Sequence, residues 1–320
     1  MKDKKKIKVS VAIPVFNEQG SLKDFLERML SQTINPDEII FCDGGSTDRT
    51  VSILDGYKKK FTNIKLVNRE GLCRGSGRNS AIEASSNELV ALIDVGNVPE
   101  TNWLELLIEE LIRFPELEVV YGAVKPQQNN SITKSLSSFI LGKKEHNQLL
   151  DKSVASMLIR KETWMKAGKF PQSEDGSYIV EDLRFLNKLE NLDLKTIKIN
   201  SAFTNWSLPD NYLDIYKRFY NLTLGANKIG YTKLLLGGVL RNYLICLLIF
   251  ISSFFLNAYL LFLIPCFLLL RVYSYHRFNI WFKGENLFVK SLYLLQGLLV
   301  FSIIDFASIN SFMSSRLKNG

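Results

Sequence analysis

The 320-residue sequence has only two histidines and four cysteines, and this scarcity excludes several kinds of site. Cys42, Cys73, Cys246 and Cys266 have neither C-x-x-C spacing nor a histidine partner nearby, and this is the spacing that zinc sites show. We therefore expect neither a structural zinc site nor a disulfide framework. Because histidine is so rare, any acid–base chemistry must fall mainly to carboxylates.

Charged residues are absent from Tyr243 to Leu270, a run of 28 positions. A helix needs about 20 apolar residues to cross the hydrocarbon core of a bilayer, so this run predicts a membrane segment. Asn257 and Pro265 are placed to divide the run into a helical hairpin. A second apolar stretch, Ser291 to Ile304, is shorter and stops at Asp305, so it would span the membrane, re-enter it or lie in its interface.

These two stretches predict a membrane region of two to three hydrophobic helices over residues 231–320. The formal net charge of +8 raises nucleic acid as a partner, but the basic residues do not gather on a nucleic-acid-binding motif. Lys228, Lys233 and Arg241 instead flank the apolar run, where anionic lipid head groups would attract them. The sequence therefore predicts membrane lipids as partners and no nucleic acid.

The first two hundred residues alternate short β-rich runs with amphipathic helical stretches, a pattern typical of α/β proteins with a mostly parallel sheet. The predicted strands are Val9 to Val15, Glu38 to Cys42, Ile64 to Val67, Leu89 to Ile93, Val119 to Val124, Ala155 to Ile159 and Leu194 to Ile199. Ser21 is placed as the N-cap of the first helix, and Val180 to Leu189 predicts a later one. Pro126 to Lys134 has the composition of a flexible surface loop.

Ligands bind at the carboxyl ends of the strands in open α/β sheets, so polar residues after the strands are the candidate site. Asp43 begins the segment Asp-Gly-Gly-Ser-Thr-Asp48, which forms either a tight turn or a carboxylate contact for a base or ribose. Asp94 follows another strand and brings a second carboxylate to the same edge. Oxygen ligands of this kind suit Mg²⁺ or Mn²⁺ that bridges a diphosphate.

Two further groups of charged residues stand near these acids in the sequence pattern. Arg69, Arg74 and Arg78 lie in a glycine-rich stretch that leads into a helix, and the glycines are Gly71, Gly75 and Gly77. Guanidinium groups and backbone donors there would approach phosphates, or the stretch is flexible loop filler. Glu181-Asp182 opens a predicted helix and either complements the helix dipole or supplies a general base.

Six segments in order resemble the family 2 glycosyltransferases of the GT-A fold, over about Lys8 to Gly230. They are Val11-Ala-Ile-Pro-Val-Phe-Asn-Glu18, Asp43-Gly-Gly-Ser-Thr-Asp-Arg-Thr50, Gly77-Arg-Asn79, Ile93-Asp-Val-Gly96, Glu181-Asp182 and Trp206. The resemblance implies a GT-A catalytic domain over residues 1–230, with a Rossmann-like, mostly parallel sheet, followed by the hydrophobic helices. It also implies inverting, hexosyltransferase-type transfer from a nucleoside-diphosphate sugar.

By the same resemblance, individual positions take roles in the nucleotide-sugar site. That site would be formed by Pro14, Asn17, Glu18, Asp43, Arg78, Asn79 and Asp94. Asp43 would hold the base, and Asp94, as the first acid of the D-x-D motif, would hold the metal. Asp182 matches the catalytic base, with Glu181 beside it. An inverting displacement needs a base opposite the leaving group to take the proton of the acceptor hydroxyl.

The sequence departs from the family pattern at Gly96, where the second acid of D-x-D usually stands. Glycine offers no side-chain ligand, so we expect a retained but weakened requirement for Mg²⁺ or Mn²⁺. The ion would be held by Asp94, the diphosphate and water, with Asn97 as a neutral ligand, or cationic side chains would replace it. The Asp43-Gly44 pair also carries one acid where many relatives carry two, so the contact of the chain with the nucleotide base would depend on Asp43 alone.

Trp206 and the helix predicted from Tyr212 to Asn227, which contains Arg218, resemble the acceptor-side segment of membrane-attached members. The helix is either a shelf for a lipid phosphate or sugar, or an amphipathic helix that packs on the bilayer. We expect a lipid-linked or polysaccharide acceptor hydroxyl at the cytoplasmic membrane face. The alternatives are a polyprenyl monophosphate as acceptor, and a degenerate transferase domain that serves as a membrane scaffold.

Overall fold

The computed structural model describes residues 7–69, 73–142, 152–173, 180–228, 230 and 232–317. The chain divides into two compact units. The first comprises residues 1–126 and 149–207, and the second comprises residues 127–148 and 208–320. The segment 127–148 therefore belongs with the C-terminal helices, although it lies within the first two hundred residues. The domain boundary predicted at residue 230 stays a prediction.

The first unit is built on a sheet that has eight strands among the described residues. They are β1 (Val9–Val15), β2 (Glu38–Asp43), β3 (Ile64–Asn68), β4 (Leu89–Leu92), β5 (Asn97–Pro99), β6 (Val119–Pro126), β7 (Met157–Arg160) and β8 (Thr196–Trp206). Their spatial order is β3-β2-β1-β4-β7-β6-β8-β5. β3, β2, β1 and β4 run parallel, β6 and β8 run parallel, and β7 and β5 pair antiparallel with their neighbours. The predicted mostly parallel sheet is confirmed.

The helices alternate with these strands and then continue alone to the C-terminal end of the described residues. They are α1 (Leu22–Leu30), α2 (Thr50–Lys58), α3 (Arg74–Glu83), α4 (Trp103–Arg113), α5 (Ser131–Leu141), α6 (Lys161–Lys166), α7 (Glu181–Glu190), α8 (Tyr212–Lys228), α9 (Thr232–Phe255), α10 (Leu263–His276), α11 (Ile280–Lys283) and α12 (Leu287–Leu317). A 3-10 helix, Ala258–Phe262, precedes α10. The first unit holds α1 to α4, α6 and α7, and the second holds the rest.

Both faces of the sheet are buried at its central strands, which explains why strands such as β1 are apolar throughout. Val11 and Ile13 of β1 belong to one apolar layer, with Phe25 of α1. Ala12 of the same strand points to the opposite layer, with Ile82 of α3. Successive side chains of a strand point to opposite faces, so a strand buried on both sides reads as a continuous apolar run. The carboxyl end of the sheet is thus held between two helical layers.

The predicted elements differ from the structure in a few places. The flexible loop predicted to extend to Lys134 is wrong from Ser131 onward, because α5 begins there. The side chain of Asn130 accepts a hydrogen bond from the Thr133 backbone N–H (2.9 Å), and the Thr133 hydroxyl accepts one from the Asn130 N–H (3.0 Å). This reciprocal capping box defines the helix start. Ser21 does occupy the N-cap position of α1, but its hydroxyl accepts no hydrogen bond from a backbone N–H of the helix and instead donates to the carboxylate of Glu18.

The second unit contains three helices that are long and apolar enough to cross a membrane, by length and composition, among the residues that the structure describes. They cover Leu236–Phe255, Ala258–His276 and Leu287–Ser315. The division predicted at Asn257 is confirmed, because its side chain caps the following helix through the Tyr259 N–H (2.8 Å). Pro265 divides nothing and lies in the first turn of α10. The third helix also continues past Asp305, where the apolar stretch stops in the sequence.

Candidate active site

The loops that follow β1 and β2 are bound to each other at the carboxyl edge of the sheet. The backbone N–H of Asn17 donates to the Ser46 hydroxyl (2.8 Å), and the Asn17 side-chain oxygen accepts from the Thr47 N–H (2.8 Å). Gly44 N–H donates to the Val15 carbonyl (3.0 Å). Asn17 adopts a left-handed conformation (φ 54°), which asparagine tolerates better than most residues. Asn17 therefore shapes both loops, and its contact with a nucleotide stays a prediction.

Asp43 ends β2 and is almost fully buried. Its carboxylate accepts hydrogen bonds from the backbone N–H groups of Gly45 (2.9 Å) and Ser46 (3.0 Å) and from the Ser46 hydroxyl (2.5 Å). Gly45 has a φ of 93°, a conformation that favours glycine. The tight-turn interpretation of this segment is therefore correct. The base contact predicted for Asp43 stays a prediction, in which its oxygens would serve the turn and the base together.

Glu18 is a half-buried carboxylate in this loop pair. Burial raises its pKa, the hydrogen bond from Ser21 and the charge of Arg74 lower it, and the charge of Asp94 raises it, with a raised pKa as the net result. Desolvation and like charges disfavour the ionised form of a carboxyl group. A positive group brought close to Glu18 and Asp94 would offset the repulsion between the two carboxylates. The edge of the sheet therefore favours a ligand that carries or brings a cation.

Glycines 75 and 77 lie inside α3, so the glycine-rich stretch is not a loop at these positions. A Cβ atom on Gly75 would come within 2.4 Å of the Pro171 carbonyl oxygen, and one on Gly77 within 3.3 Å of the Pro14 Cβ. These glycines allow the helix to approach its neighbours closely, so the loop-filler interpretation is wrong for them. Pro14 is buried under α3, and its place in the nucleotide pocket stays a prediction.

The three arginines that were predicted to cluster differ sharply in exposure. Arg69 and Arg74 are exposed, whereas Arg78 is only 2% exposed. Arg74 is the first residue of α3, at the helix end whose dipole favours anions. Gly71 lies outside the described residues. Of these three arginines, Arg69 and Arg74 are therefore the ones exposed to a phosphate at the surface, while Arg78 has internal partners.

Arg78 lies at the centre of the site, between two carboxylates. Its Nη2 contacts Asp94 Oδ1 and Oδ2 at 2.8 and 2.9 Å, and its Nη1 contacts Glu181 Oε1 at 3.3 Å. The guanidinium also lies over the Phe170 ring, 5.4 Å from its centroid. Burial by itself lowers the pKa of Arg78, but the charges of Asp94, Glu181 and Asp182 outweigh it and raise that pKa. Arg78 is therefore a permanent cation that joins α3, the end of β4 and the start of α7.

Asn79 follows Arg78 and is also buried, and both its side-chain nitrogen and its side-chain oxygen make hydrogen bonds. Its nitrogen donates to the Phe170 carbonyl (2.9 Å), and its oxygen accepts from the Phe170 N–H (3.0 Å) and from the Trp164 indole N–H (3.1 Å). These bonds fix Phe170 under the guanidinium of Arg78. Asn79 thus organises the wall of the site, and the predicted contact with the sugar or diphosphate stays a prediction.

A β-turn follows β4 and presents Asp94. The Asn97 N–H donates to the Asp94 carbonyl (2.9 Å), and the Ser207 N–H donates to the Gly96 carbonyl (3.0 Å). Trp206, at the end of β8, pairs with Asn97 in the antiparallel register of β5 and β8. The turn therefore brings Trp206, an acceptor-side candidate, next to the segment of the D-x-D position.

A divalent ion at this turn would find few ligands on the chain. No group of three His, Cys, Asp or Glu residues that could hold a metal occurs among the described residues. Asp94 has a side chain that is 22% exposed, and the buried side-chain oxygen of Asn97 has no hydrogen-bond partner in the described part of the chain. Mg²⁺ is often held by one or two carboxylates together with substrate phosphates. Asp94 and Asn97 therefore fit an ion that a diphosphate helps to hold.

The helix start at Glu181-Asp182 combines burial with backbone strain. Glu181 is 1% exposed, and its Oε2 has no hydrogen-bond partner within the described residues. Asp182 is half-buried, and one of its oxygens accepts from the Leu183 N–H (2.9 Å). Val180, just before them, has a left-handed backbone (φ 48°, ψ 44°), which costs about 1–3 kcal/mol for a β-branched residue. The strained residue therefore stands directly before the two acids, at the start of α7.

Arg218, the second acceptor-side candidate, lies on α8 in the second unit, where its side chain is exposed. Its role stays a prediction.

Two features of the site had no signal in the sequence. The pairing of Arg78 with Glu181 joins residues 103 positions apart, and the Phe170 ring under Arg78 belongs to a stretch without any motif.

Comparison with known proteins identifies the family of this site. The sequence model of glycosyl transferase family 2 matches residues 10–170, half of the chain. The chain belongs to glycosyl transferase family 2. The match contains β1 to β4, the turn at Asp94 and the α3 arginine.

A curated relative is the poly(ribitol-phosphate) beta-glucosyltransferase of Bacillus spizizenii, with 28% identity over 138 residues, which is 41% of this chain and 21% of that protein. The matched segments span between 21% and 38% of the length of three curated relatives.

Two solved structures share the fold. The mannosyltransferase PcManGT from Pyrobaculum calidifontis, in complex with GDP-Man and Mn²⁺, has 16% identity and a TM-score of 0.54, and the match covers 95% of this chain and 87% of that one. S. aureus TarS 1-349, in complex with UDP-GlcNAc, has 16% identity and a TM-score of 0.50, and the match covers 98% and 92%. At this identity the likeness shows the fold alone, and the predicted GT-A fold is confirmed.

Proposed function

We propose that this protein is an inverting glycosyltransferase that moves a sugar from a nucleoside-diphosphate sugar to an acceptor hydroxyl, with Asp182 as the general base. The observation that carries the proposal is the meeting of three segments at one edge of the sheet. Arg78 of α3 contacts Asp94 after β4, and it also contacts Glu181, which adjoins Asp182. Arg78 thereby lies between Asp94, the proposed acid on the phosphate side, and Glu181, whose neighbour Asp182 is the base candidate.

The donor is proposed from the family and from the ligands of proteins that share the fold. One such protein is in complex with UDP-GlcNAc and another with GDP-Man. In this chain the bound pair of loops around Asn17 and Asp43 would hold the nucleoside, and Arg74 at the start of α3 would face the diphosphate. Anions are stabilised at a helix N-terminus and by guanidinium groups. The identity of the sugar would depend on side chains around this edge.

The chemistry asked of Asp182 is proton transfer from the acceptor hydroxyl as that oxygen attacks the anomeric carbon. The bond between the anomeric carbon and the diphosphate oxygen breaks, and the diphosphate leaves with the electron pair. Asp182 is half-buried and has one oxygen that no described residue occupies, so it can accept a proton. Glu181 is buried against Arg78 and supports the arrangement from behind, so we assign it a positioning role and not the role of base.

Asp94 and Asn97 would hold Mg²⁺ or Mn²⁺ together with the diphosphate. The ion, when bound, offsets the negative charge that develops on the leaving diphosphate. Because Gly96 supplies no second carboxylate, we propose that the divalent requirement is retained but weakened. Arg74 and Arg78 would add positive charge on the same side.

The acceptor is proposed to be a lipid-linked glycan or a polysaccharide, with the catalytic domain on the cytoplasmic face of the membrane. Three helices that are apolar enough to span a bilayer support membrane attachment. An enzyme attached to the membrane meets a lipid-borne acceptor at high effective concentration. The Bacillus spizizenii relative is named as a transferase that acts on poly(ribitol-phosphate), a polymer.

Replacement of Asp182 by Asn tests the proposal. Membranes that contain the variant would be given a panel of labelled nucleotide sugars, with analysis of the labelled lipid and polymer. General-base catalysis contributes about 10²–10⁴-fold, so we expect turnover to fall by about a thousandfold. The matched control is Asp193→Asn, an exposed acid after α7, which we expect to leave turnover unchanged.

Other results would contradict the proposal in distinct ways. Largely preserved turnover in Asp182→Asn would indicate an acceptor that is already anionic, such as a polyprenyl monophosphate, since it needs no base. No binding of any nucleotide sugar to the unmodified protein in calorimetry would indicate a scaffold that has lost catalysis.

A further inference from the structure

Both oxygens of the Asp94 carboxylate are already occupied by a cation of the chain itself. Arg78 Nη2 lies 2.8 Å from Oδ1 and 2.9 Å from Oδ2. Arg78 is almost fully buried, and the Asn79 network holds the ring that lies under it. The guanidinium is therefore not a mobile surface group that reaches Asp94 by chance. It is a buried charge in contact with the only carboxylate of the Asp94–Asn97 turn.

A divalent ion that binds Asp94 in this state meets a positive charge within the same contact shell. The neighbouring position, Gly96, provides no carboxylate to compensate. A Cβ atom at Gly96 would have no atom within 4 Å, so the second ligand position of the motif is open space. Divalent ions bind more weakly as the negative charge of their ligands falls. One carboxylate that is neutralised by a guanidinium is thus a poor site for an ion on its own.

Glu181 gives Arg78 a second carboxylate on its other side. The Nη1 to Oε1 distance is 3.3 Å, and the second oxygen of Glu181 has no hydrogen-bond partner among the described residues. Glu181 thus has capacity for another hydrogen bond to the guanidinium. If Arg78 withdraws from Asp94, it keeps a partner for its charge. Without Glu181, the same withdrawal would leave a buried cation unpaired, which is strongly unfavourable.

We propose that Arg78 is the cation resident at Asp94 in the free protein, that it keeps a divalent ion from that carboxylate until a diphosphate arrives, and that Glu181 is the positioning residue that receives it. The inference rests on the proposed nucleotide-sugar site, because it assigns Asp94 to the phosphate side. It adds an order of events, in which ion and diphosphate enter together. The free protein is then selective for the nucleotide-bound form of the ion.

Binding of Mn²⁺ alone to the full chain in detergent micelles tests the inference, with free Mn²⁺ measured by electron paramagnetic resonance. The unmodified protein should show no Mn²⁺ binding that depends on Asp94 below about 1 mM, as expected for a weak oxygen site. Gly96→Asp adds a second carboxylate in open space and should tighten Mn²⁺ binding by about tenfold or more, since one added charge at contact distance is worth that much. The matched control is Gly96→Asn, which has the same shape without the charge.

Gly20→Asp provides a second control, because Gly20 also has open space around its Cβ position but lies outside the Asp94 turn. Neither control should tighten binding. The inference would be overturned by tight Mn²⁺ binding to the unmodified protein that Asp94→Asn removes, or by Gly96→Asp binding Mn²⁺ no better than Gly96→Asn. These variants leave Arg78 in place. They therefore avoid the unfolding that an Arg78 substitution between two carboxylates would risk.

The role of Glu181 is tested in the Gly96→Asp background. Glu181→Gln should weaken Mn²⁺ binding by about tenfold, because Arg78 then has no carboxylate to move to when the ion takes Asp94. Glu190→Gln, which removes an exposed acid of the same helix, should have little effect. Equal effects of the two substitutions would contradict the positioning role and indicate a general loss of negative charge.

These measurements need no sugar nucleotide and no acceptor, so they fail independently of the proposed function. A protein that binds Mn²⁺ as expected but transfers no sugar would contradict the proposed function alone. A protein that transfers sugar yet binds Mn²⁺ tightly at Asp94 without nucleotide would contradict this inference alone.

Discussion

Each of the two units contains an arginine paired with an aspartate, and the two pairs differ in charge balance. In the first unit, Arg78 serves two carboxylates, and the side chain of Asp94 is 22% exposed. In the second unit, Arg271 of α10 serves Asp305 of α12 alone, with an Nη2 to Oδ1 distance of 2.9 Å and a side chain of Asp305 that is 1% exposed. One cluster carries surplus negative charge at an accessible edge, and the other is neutral and closed.

The difference separates a site that can take a ligand from a contact that joins two helices. Arg271 and Asp305 lie in helices that are apolar enough to span a membrane, where an unpaired charge is costly. Their pairing removes that cost and fixes α10 against α12. Both arginine clusters contain buried polar atoms without a hydrogen-bond partner in the described part of the chain, namely Glu181 Oε2 in the first and Arg271 Nε in the second. The cluster around Arg78 differs in its surplus negative charge and in the partial exposure of Asp94, which are features of ligand sites.

The largest effect is expected from Arg78→Met, which would break the first cluster. Two carboxylates would face each other without a cation, and the loss of a buried pair costs about 3–5 kcal/mol. A second substitution, Asp94→Leu, should not restore stability, because Glu181 remains buried without its partner. Thermal unfolding in detergent micelles would measure both variants. Recovery of stability in the double variant would show that Glu181 has little part in the cluster.

A smaller loss of stability is expected when the pair of Arg271 and Asp305 is broken. Arg271→Met should lower the free energy of unfolding by about 3 kcal/mol, because Asp305 is left unpaired. The double variant Arg271→Met/Asp305→Leu should recover most of that loss, since apolar residues of similar volume often replace a buried pair without cost. The same unfolding measurement applies. A double variant as unstable as the single one would mean that the pair does more than join α10 to α12.

The smallest effect is expected at the opposite end of β2 from Asp43. Burial by itself raises the pKa of Glu38, but hydrogen bonds from Lys65, Ser86 and Ser10 outweigh it and lower that pKa to about 2. Because the pKa of Glu38 is lower in the folded protein than in the unfolded chain, the ionised carboxylate stabilises the fold at pH values above 4.5, the pKa of the unfolded chain. This contribution is lost as the pH falls from 4.5 towards 2. Glu38→Gln should therefore lower the free energy of unfolding by about 2 kcal/mol at pH 7.

The pH dependence distinguishes this effect from a simple packing loss. The difference between Glu38→Gln and the unmodified protein should shrink as the pH falls from 4.5 towards 2, because the unfolded chain and then the folded protein bind a proton at Glu38. A difference that stays constant with pH would contradict the charge-based explanation. The ion pair of Glu38 and Lys65 stabilises the amino end of β2, while the carboxyl end of the same strand carries the candidate site.

The sequence predicted the sheet well because its strands are buried on both faces and their apolar runs are unambiguous. β1 has the predicted bounds, and most of the other predicted strands differ by one or two residues. β5 and the second half of β8 were missed, because Asn97–Pro99 and the polar end of β8 lack an apolar pattern. The glycines of α3 were misread as a loop, because the close approach to Pro171 and Pro14 that requires them is a long-range contact.

What the sequence by itself determined was the fold, the family and the list of strand-end residues, since these follow from local patterns and motif order. It also determined the apolar helices, because length and the lack of charge suffice to recognise them. Only the tertiary structure decided which charged side chains are paired with each other. It turned Arg78 towards Asp94 and Glu181, it enclosed Asp43 in its own turn, and it paired Asp305 with Arg271. The partner of a buried charge is chosen by packing between distant segments, and no local pattern records that choice.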